Sequence, residues 1–212
     1  MKTLNRMAGV IIVVAAFWWW AVFVAMHVLE PEFNPLKAPG SAYVLGPYGA
    51  WARTSYFALS AMLISAGIGL AADLEKTTLT RAALSAFLVA ATGSVLAGLF
   101  AMDFPGPPRT LSGWLHAIGG LLAFFPWPLG TLLFSLSIRR DHRWRERART
   151  LFTLSLLSIG VMVVLQLSII LLGFGGYAQR LLLALLFAWT IIAGLHLRLS
   201  PAAGIQAAAV LK

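Results

Sequence analysis

The chain has 212 residues, of which 60% are hydrophobic and 11% charged, an apolar share about 15 points above that of an ordinary soluble domain. It contains no cysteine, which excludes disulfides, thiolate nucleophiles, iron–sulfur ligation and thioether-linked haem. The net charge of +9 would suit nucleic acid only on a folded basic face outside a membrane, and no segment is long enough to build one, so nucleic acid is not an expected partner.

Mean hydropathy is +0.86, and apolar runs of about 20 residues, the length that crosses a hydrocarbon core, recur along the chain. They predict an all-α integral membrane protein, a single six-helix bundle over 1–212, with spans at 7–29, 54–72, 82–102, 115–138, 150–172 and 181–197. The first run is too long for a signal-peptide core and lacks a small-x-small cleavage site, so it is kept as a span. With the N-terminus inside, Lys2, Arg6, Lys76, Arg81, Arg139, Arg140, Arg143, Arg145, Arg147, Arg149, Arg198 and Lys212 fall on inner segments. Lys37, Arg53, Arg109 and Arg180 fall on outer ones. This bias predicts both termini on the cytoplasmic side.

In chain order, Trp18, Trp19 and Trp20 sit mid-span, where indoles pack between helices or stack on a ring-shaped ligand. His27 and Glu30, three residues apart, share one helix face near the outer end. The loop over 30–53, with Phe33, Tyr43, Tyr48 and Trp51, reads as an ordered cover over the bundle or as an interfacial aromatic belt. Ala61, Ser65 and Gly69 in the second span, and Ala86, Ala90, Ser94 and Gly98 in the third, recur every four residues. Such smooth stripes let backbones approach closely, so these two spans are expected to be central.

Asp103 closes the third span and His116 lies about one turn into the fourth, across a loop short enough to hold the two spans antiparallel. The two are expected to be neighbours, with Asp103 orienting His116 and His116 exchanging a proton. Pro126 and Pro128 predict a kink near the middle of the fourth span. The run RRDHRWRERAR after it controls topology and can also attract anionic headgroups at about 1 kcal/mol per basic residue. Gln166 lies on the order of 9 Å below the outer surface and is expected to face the bundle. Arg109 and Arg180 can hold an anionic headgroup or pair with Asp103, Glu30 or Glu32. His196, beside Arg198, reads as a partly solvated interfacial histidine.

Together His27, Glu30, Asp103, His116 and Gln166 suggest an outward-facing polar pocket, with Tyr43, Arg109 and Arg180 as further ligand-binding residues. If the pocket holds a metal, His27, His116 and Asp103 are the ligand types available. The spacings match no diagnostic metal or haem motif, so the sequence names no cofactor.

Three segments, PEFNPLKAPGSAYVLGPYGAWARTSYFALS, GLFAMDFPGPPRTLSGWLHAIGG and RRDHRWRERART, resemble the six-span prokaryotic membrane family catalogued as domain of unknown function nine-nine-eight. That resemblance implies an acidic residue closing the third span and a histidine opening the fourth, here Asp103 and His116. It also implies a distant similarity to eukaryotic six-span proteins implicated in lipid remodelling, an analogy only. Where the family often carries Ser followed by an acidic residue, this chain reads Ser41-Ala42-Tyr43, which argues against serine catalysis. The expected function is therefore to bind, with or without chemistry, a lipid or small amphiphile. The rival is an accessory subunit that packs against membrane partner proteins. A transporter is disfavoured by the missing internal repeat and the absence of charge at the bilayer centre.

Overall fold

In a computed structural model, residues 2–104, 109–173 and 175–199 are described. They form seven α-helices: α1 (Lys2–Leu29), α2 (Gly49–Asp73), α3 (Thr78–Leu99), α4 (Leu111–Phe124), α5 (Pro126–Ile138), α6 (Arg145–Leu172) and α7 (Gly176–Leu199), with 3₁₀ turns at Gly40–Leu45 and His142–Trp144. No strand occurs among the described residues. Six stretches are long and apolar enough to cross a membrane, α4 and α5 acting as one. The chain is a multi-pass membrane protein.

Local chemistry sets the boundaries. Thr77 and Thr110 each turn a side-chain oxygen onto the N–H three residues on, opening α3 and α4. Pro126 and Pro128 supply no N–H to the carbonyls of Leu122 and Phe124, so the fourth span breaks into α4 and α5. Phe125 keeps right-handed helical angles there, φ −81° and ψ −48°, so the break is a kink and not a loop. Gly173, at φ +72°, ends α6 in the left-handed conformation that glycine adopts without a Cβ penalty.

The helices stand in a ring in chain order. α1 packs on α2 and α7, α2 on α3, α3 on both halves of the broken span, α5 on α6, and α6 on α7. Aromatic rings fill the centre: Phe87 meets Phe134 at 5.3 Å and Trp189 at 6.0 Å, and Phe187 meets Trp127 at 5.4 Å and Trp19 at 4.6 Å. A hydroxyl chain crosses this core, with Trp189 Nε1 donating to Ser135 Oγ at 2.9 Å and Ser135 2.8 Å from Ser155.

The expected seam on α2 is corrected. Ala61 is exposed and Ser65 only half-buried, while Leu59, Met62, Leu63, Ala66 and Leu70 are the residues turned inward. The tightest crossing of α3 uses Gly93, outside the predicted stripe, where a Cβ would stand 2.5 Å from Ala123 N and 2.6 Å from Gly119 O. The span most enclosed is α7, 56% buried, against 50% for α2 and α3 and 28% for α6.

Candidate functional site

The residues singled out from sequence gather at one end of the ring, but in two separate sets. At the α1–α7 corner, Pro31, Pro35 and Pro39 follow α1, and an Asn34 side chain accepting Leu36 N–H at 2.9 Å makes a tight turn. The chain then folds back through the Gly40–Leu45 turn, which buries Tyr43 to 1% exposure. Gly40 N–H is taken by Gln179 Oε1 at 2.7 Å, and Tyr177 N–H by Leu36 O at 3.1 Å. The segment is thereby stitched to the start of α7.

Arg180 is the hub of that corner. Its Nε donates to His27 Nε2 at 3.1 Å, its Nη1 to the carbonyls of Ala38 and Gly176, each at 3.0 Å, and its Nη2 to Tyr43 Oη at 3.3 Å. Because His27 Nε2 accepts, the ring proton sits on Nδ1, which donates to Phe23 O at 2.7 Å. The guanidinium is thus spent on neutral acceptors of the chain itself. It pairs with no carboxylate among the described residues.

Glu30, just beyond α1, is wholly buried. Its Oε1 accepts Tyr48 N–H at 2.8 Å, while its Oε2 has no partner among the described residues. Burial, with a smaller push from Glu32, holds its carboxyl above the ordinary value despite the opposing Tyr48 N–H. Gly46 is required beside it, since any side chain there would run into the carboxyl group.

At the α3–α4 corner the expected Asp103–His116 pairing is not found. Asp103 accepts Thr110 N–H at 2.9 Å and Thr110 Oγ1–H at 2.7 Å, and Thr110 in turn accepts Gly113 N–H. A carboxylate beside a helix start finds unpaired N–H groups, and these take it before the histidine does. His116, 7% exposed, turns Nδ1–H between the carbonyls of Ala97 at 3.0 Å and Phe100 at 2.9 Å. It closes the end of α3 as a cap. Arg109 stacks over Trp114, 4.8 Å from the ring centre, and Gln166 donates to Met162 Sδ within its own helix at 3.7 Å. The loop over 105–108, part of the segment that joins Asp103 to His116, lies outside the described residues. Among the described residues no three metal-ligating side chains converge.

A large concavity lies at the opposite end. A cavity of about 710 Å³ is lined by Arg139, Arg140, Arg145 and Arg149, with Ala148 and Phe152 as its apolar lining and Asp141 and His142 completing it. The connection that builds it is pinned from below. Trp144, fully buried, donates Nε1–H to Asp73 Oδ2 at 3.0 Å and lies 3.7 Å from the His196 ring. Arg143 pairs with Asp73 at 3.2 Å and Asp141 at 2.6 Å. Burial alone would raise the Asp141 carboxyl, but the Arg143 contacts outweigh it and hold it below the ordinary value. Arg147 turns to His196 Nδ1 at 3.2 Å.

The six arginines therefore divide. Arg143 and Arg147 are tied into the protein, and the other four pair with no carboxylate among the described residues. Arg139 instead lies 4.5 Å over the Phe152 ring. A signal for the basin was present in the sequence, since Arg145, Ala148, Arg149 and Phe152 recur at helical spacing and so share one face of α6. Guanidinium forks beside an apolar lining suit an anionic oxygen group joined to a hydrocarbon body.

A family model described as protein of unknown function (DUF998) matches residues 13–196, from within α1 to near the end of α7. No curated protein and no solved structure matches the chain.

Proposed function

The chain belongs to this DUF998 family, and we propose that it binds a lipid or small amphiphile whose anionic headgroup sits in the arginine basin. One observation carries the reading: four arginines without carboxylate partners line one cavity that also has an apolar lining, at the end of the spans. This moves the binding region away from the His27, Glu30, Asp103 and His116 end, where, Glu30 Oε2 apart, these side chains are engaged by the chain's own backbone, by Thr110 and by Arg180. The Lys/Arg bias of the loops supports a basin on the cytoplasmic face, and the family resemblance is what points to a prokaryotic inner membrane.

The test is native mass spectrometry of the full chain titrated with phosphatidic acid and with phosphatidylcholine. At about 1 kcal/mol per basic residue, the four arginines set an upper bound near 4 kcal/mol, a loss of up to about a thousandfold in the Arg139→Gln/Arg140→Gln/Arg145→Gln/Arg149→Gln variant. Equal retention of the two lipids by the unmodified chain, or unchanged phosphatidic acid binding by the variant, overturns the proposal. A second reading, an accessory subunit, draws on α6, the least enclosed span at 28% buried. It predicts release from the membrane only within a larger assembly in which α6 crosslinks to a partner.

A further inference from the structure

We propose that the headgroup held in the basin is a phosphate ester of a small neutral polyol such as glycerol, an inference that rests on the headgroup reading above. Arg140, Asp141 and His142 are a shared wall, for they also line a second cavity of about 230 Å³. This cleft lies between the α2–α3 connection and the end of α5, and its far side carries Glu75, Thr77, Thr80 and Ser137. The two chambers have opposite chemistry. The basin offers N–H donors and positive charge; the far side of the cleft offers oxygen acceptors.

The hydrogen bonds within the cleft establish that bias. Thr80 spends its hydroxyl proton on Glu75 O at 2.8 Å, with Ser137 Oγ at 3.2 Å, and Ser137 spends its own on Leu133 O at 3.3 Å. Thr77 Oγ1 accepts Thr80 N–H at 3.1 Å and, because the Thr80 hydroxyl proton is committed to Glu75 O, donates its own proton to Thr80 Oγ1, also at 3.1 Å. Their protons face inward, so what these groups present to a guest is lone pairs. The exposed Glu75 carboxylate makes no ion pair among the described residues and adds two further acceptor oxygens.

A guest in the cleft must therefore donate hydrogen bonds. An ammonium group would donate, but it would lie against Arg140, which pairs with no carboxylate among the described residues, while Arg143 and Asp141 neutralise each other at 2.6 Å. Like charges held side by side repel. Neutral hydroxyls donate to Glu75 without that repulsion and can accept from Arg140. A phosphate in the basin with a polyol reaching past the Arg140–His142 wall satisfies both chambers at once.

The experiment uses the full chain in mild detergent and native mass spectrometry with four probes: phosphatidylglycerol, phosphatidic acid, phosphatidylethanolamine and soluble glycerol 3-phosphate. The unmodified chain should retain phosphatidylglycerol over phosphatidic acid by about fivefold or more, the net worth of one ordinary hydrogen bond at an exposed acceptor. Glu75→Ala, at an exposed position outside the helices, should bring that ratio to about one, and Glu75→Gln, which keeps one acceptor oxygen, should restore part of it. Equal retention of phosphatidylglycerol and phosphatidic acid, both still dependent on the four arginines, overturns the polyol inference and leaves the headgroup reading standing. Loss of arginine dependence overturns both. Preferred retention of phosphatidylethanolamine overturns the neutral polyol in favour of an ammonium. Displacement of phosphatidylglycerol by equimolar glycerol 3-phosphate keeps polyol phosphate recognition but overturns the lipid assignment in favour of a soluble ligand.

Discussion

Removing the Asp73 carboxylate should unseat the arginine connection, and the cost can be worked from its partners. Asp73 closes α2 and accepts Asn5 Nδ2 at 2.8 Å, Arg143 Nη1 at 3.2 Å and Trp144 Nε1 at 3.0 Å. In Asp73→Ala the Trp144 N–H is left without an acceptor in a residue with no exposed surface, a loss of about 1–3 kcal/mol. Arg143, with 45% of its side chain exposed and Asp141 still beside it, adds only about 0–1 kcal/mol. With a smaller share from Asn5, the expected destabilisation is about 1–4 kcal/mol. Thermal and denaturant unfolding in mild detergent, followed by circular dichroism, measures it. Repeating the substitution in a Trp144→Phe background, where no indole N–H remains to be orphaned, should recover about 1–2 kcal/mol of that cost. A loss below about 0.5 kcal/mol, or the same loss in both backgrounds, would refute the reasoning. The substitution should also weaken anionic lipid retention, because Arg143 and Trp144 hold the turn from which the basin is built.

Three further outcomes follow from the packing and from the buried acid. Glu30 has its folded-state carboxyl held above the ordinary 4.5, so the stability it contributes is complete below about that pH and is lost as pH rises through the raised value. Glu30→Gln, which cannot ionise, should match the parent near pH 4 and exceed it at pH 8; parallel melting-temperature profiles in the two proteins would contradict this. Gly93→Val drives a side chain into the backbone of Gly119 and Ala123 and should cost about 1–3 kcal/mol. By contrast Gly120→Ala, with nothing within 4 Å of the added carbon, should gain about 0.5–1 kcal/mol from helix propensity, and both are read by thermal unfolding. Arg180→Ala removes four donated bonds, two of which tie residues 38 and 43 to α7 and one of which ties α7 to His27 on α1. Limited proteolysis within 30–48 should accelerate, and an unchanged cleavage rate would show that the Gln179 and Tyr177 bonds suffice.

Much of the fold was legible because crossing a hydrocarbon slab imposes length and polarity on each span. The same signal placed the helix starts several residues late, at 54 and not Gly49, at 150 and not Arg145, since charged residues beyond the slab continue the helix without registering as apolar. The kink at Pro126 was readable from missing N–H groups. The α2 seam was not: hydrophobicity marks a residue as fit for lipid or for protein alike, so Ala61 and Ser65 carry no label saying which they face. At the α3–α4 corner, the short loop pointed to Asp103 and His116 as a pair, but their partners are Thr110 and the carbonyls of Ala97 and Phe100. Free backbone groups at helix ends compete for such side chains and leave no trace in residue spacing. The arginine run was visible as charge, yet its division into tied and open members depends on Asp73, some 70 residues upstream.

The tight contact between α1 and α7 bears on how the protein is made. A Cβ on Gly9 would stand 2.4 Å from Gly194 O, so this crossing unites positions 185 residues apart (194 minus 9). At about 5–20 residues per second, the ribosome delivers the second partner roughly 10–40 s after the first. Through that interval the first helix has α2 as its neighbour, and the face carrying Gly9 stays in contact with lipid. Closure of the ring is therefore a late event of biogenesis. Chains released before the seventh helix would have an open side exposing Phe87, Trp19 and Trp127, a form that quality-control proteases of the membrane could distinguish from the finished protein.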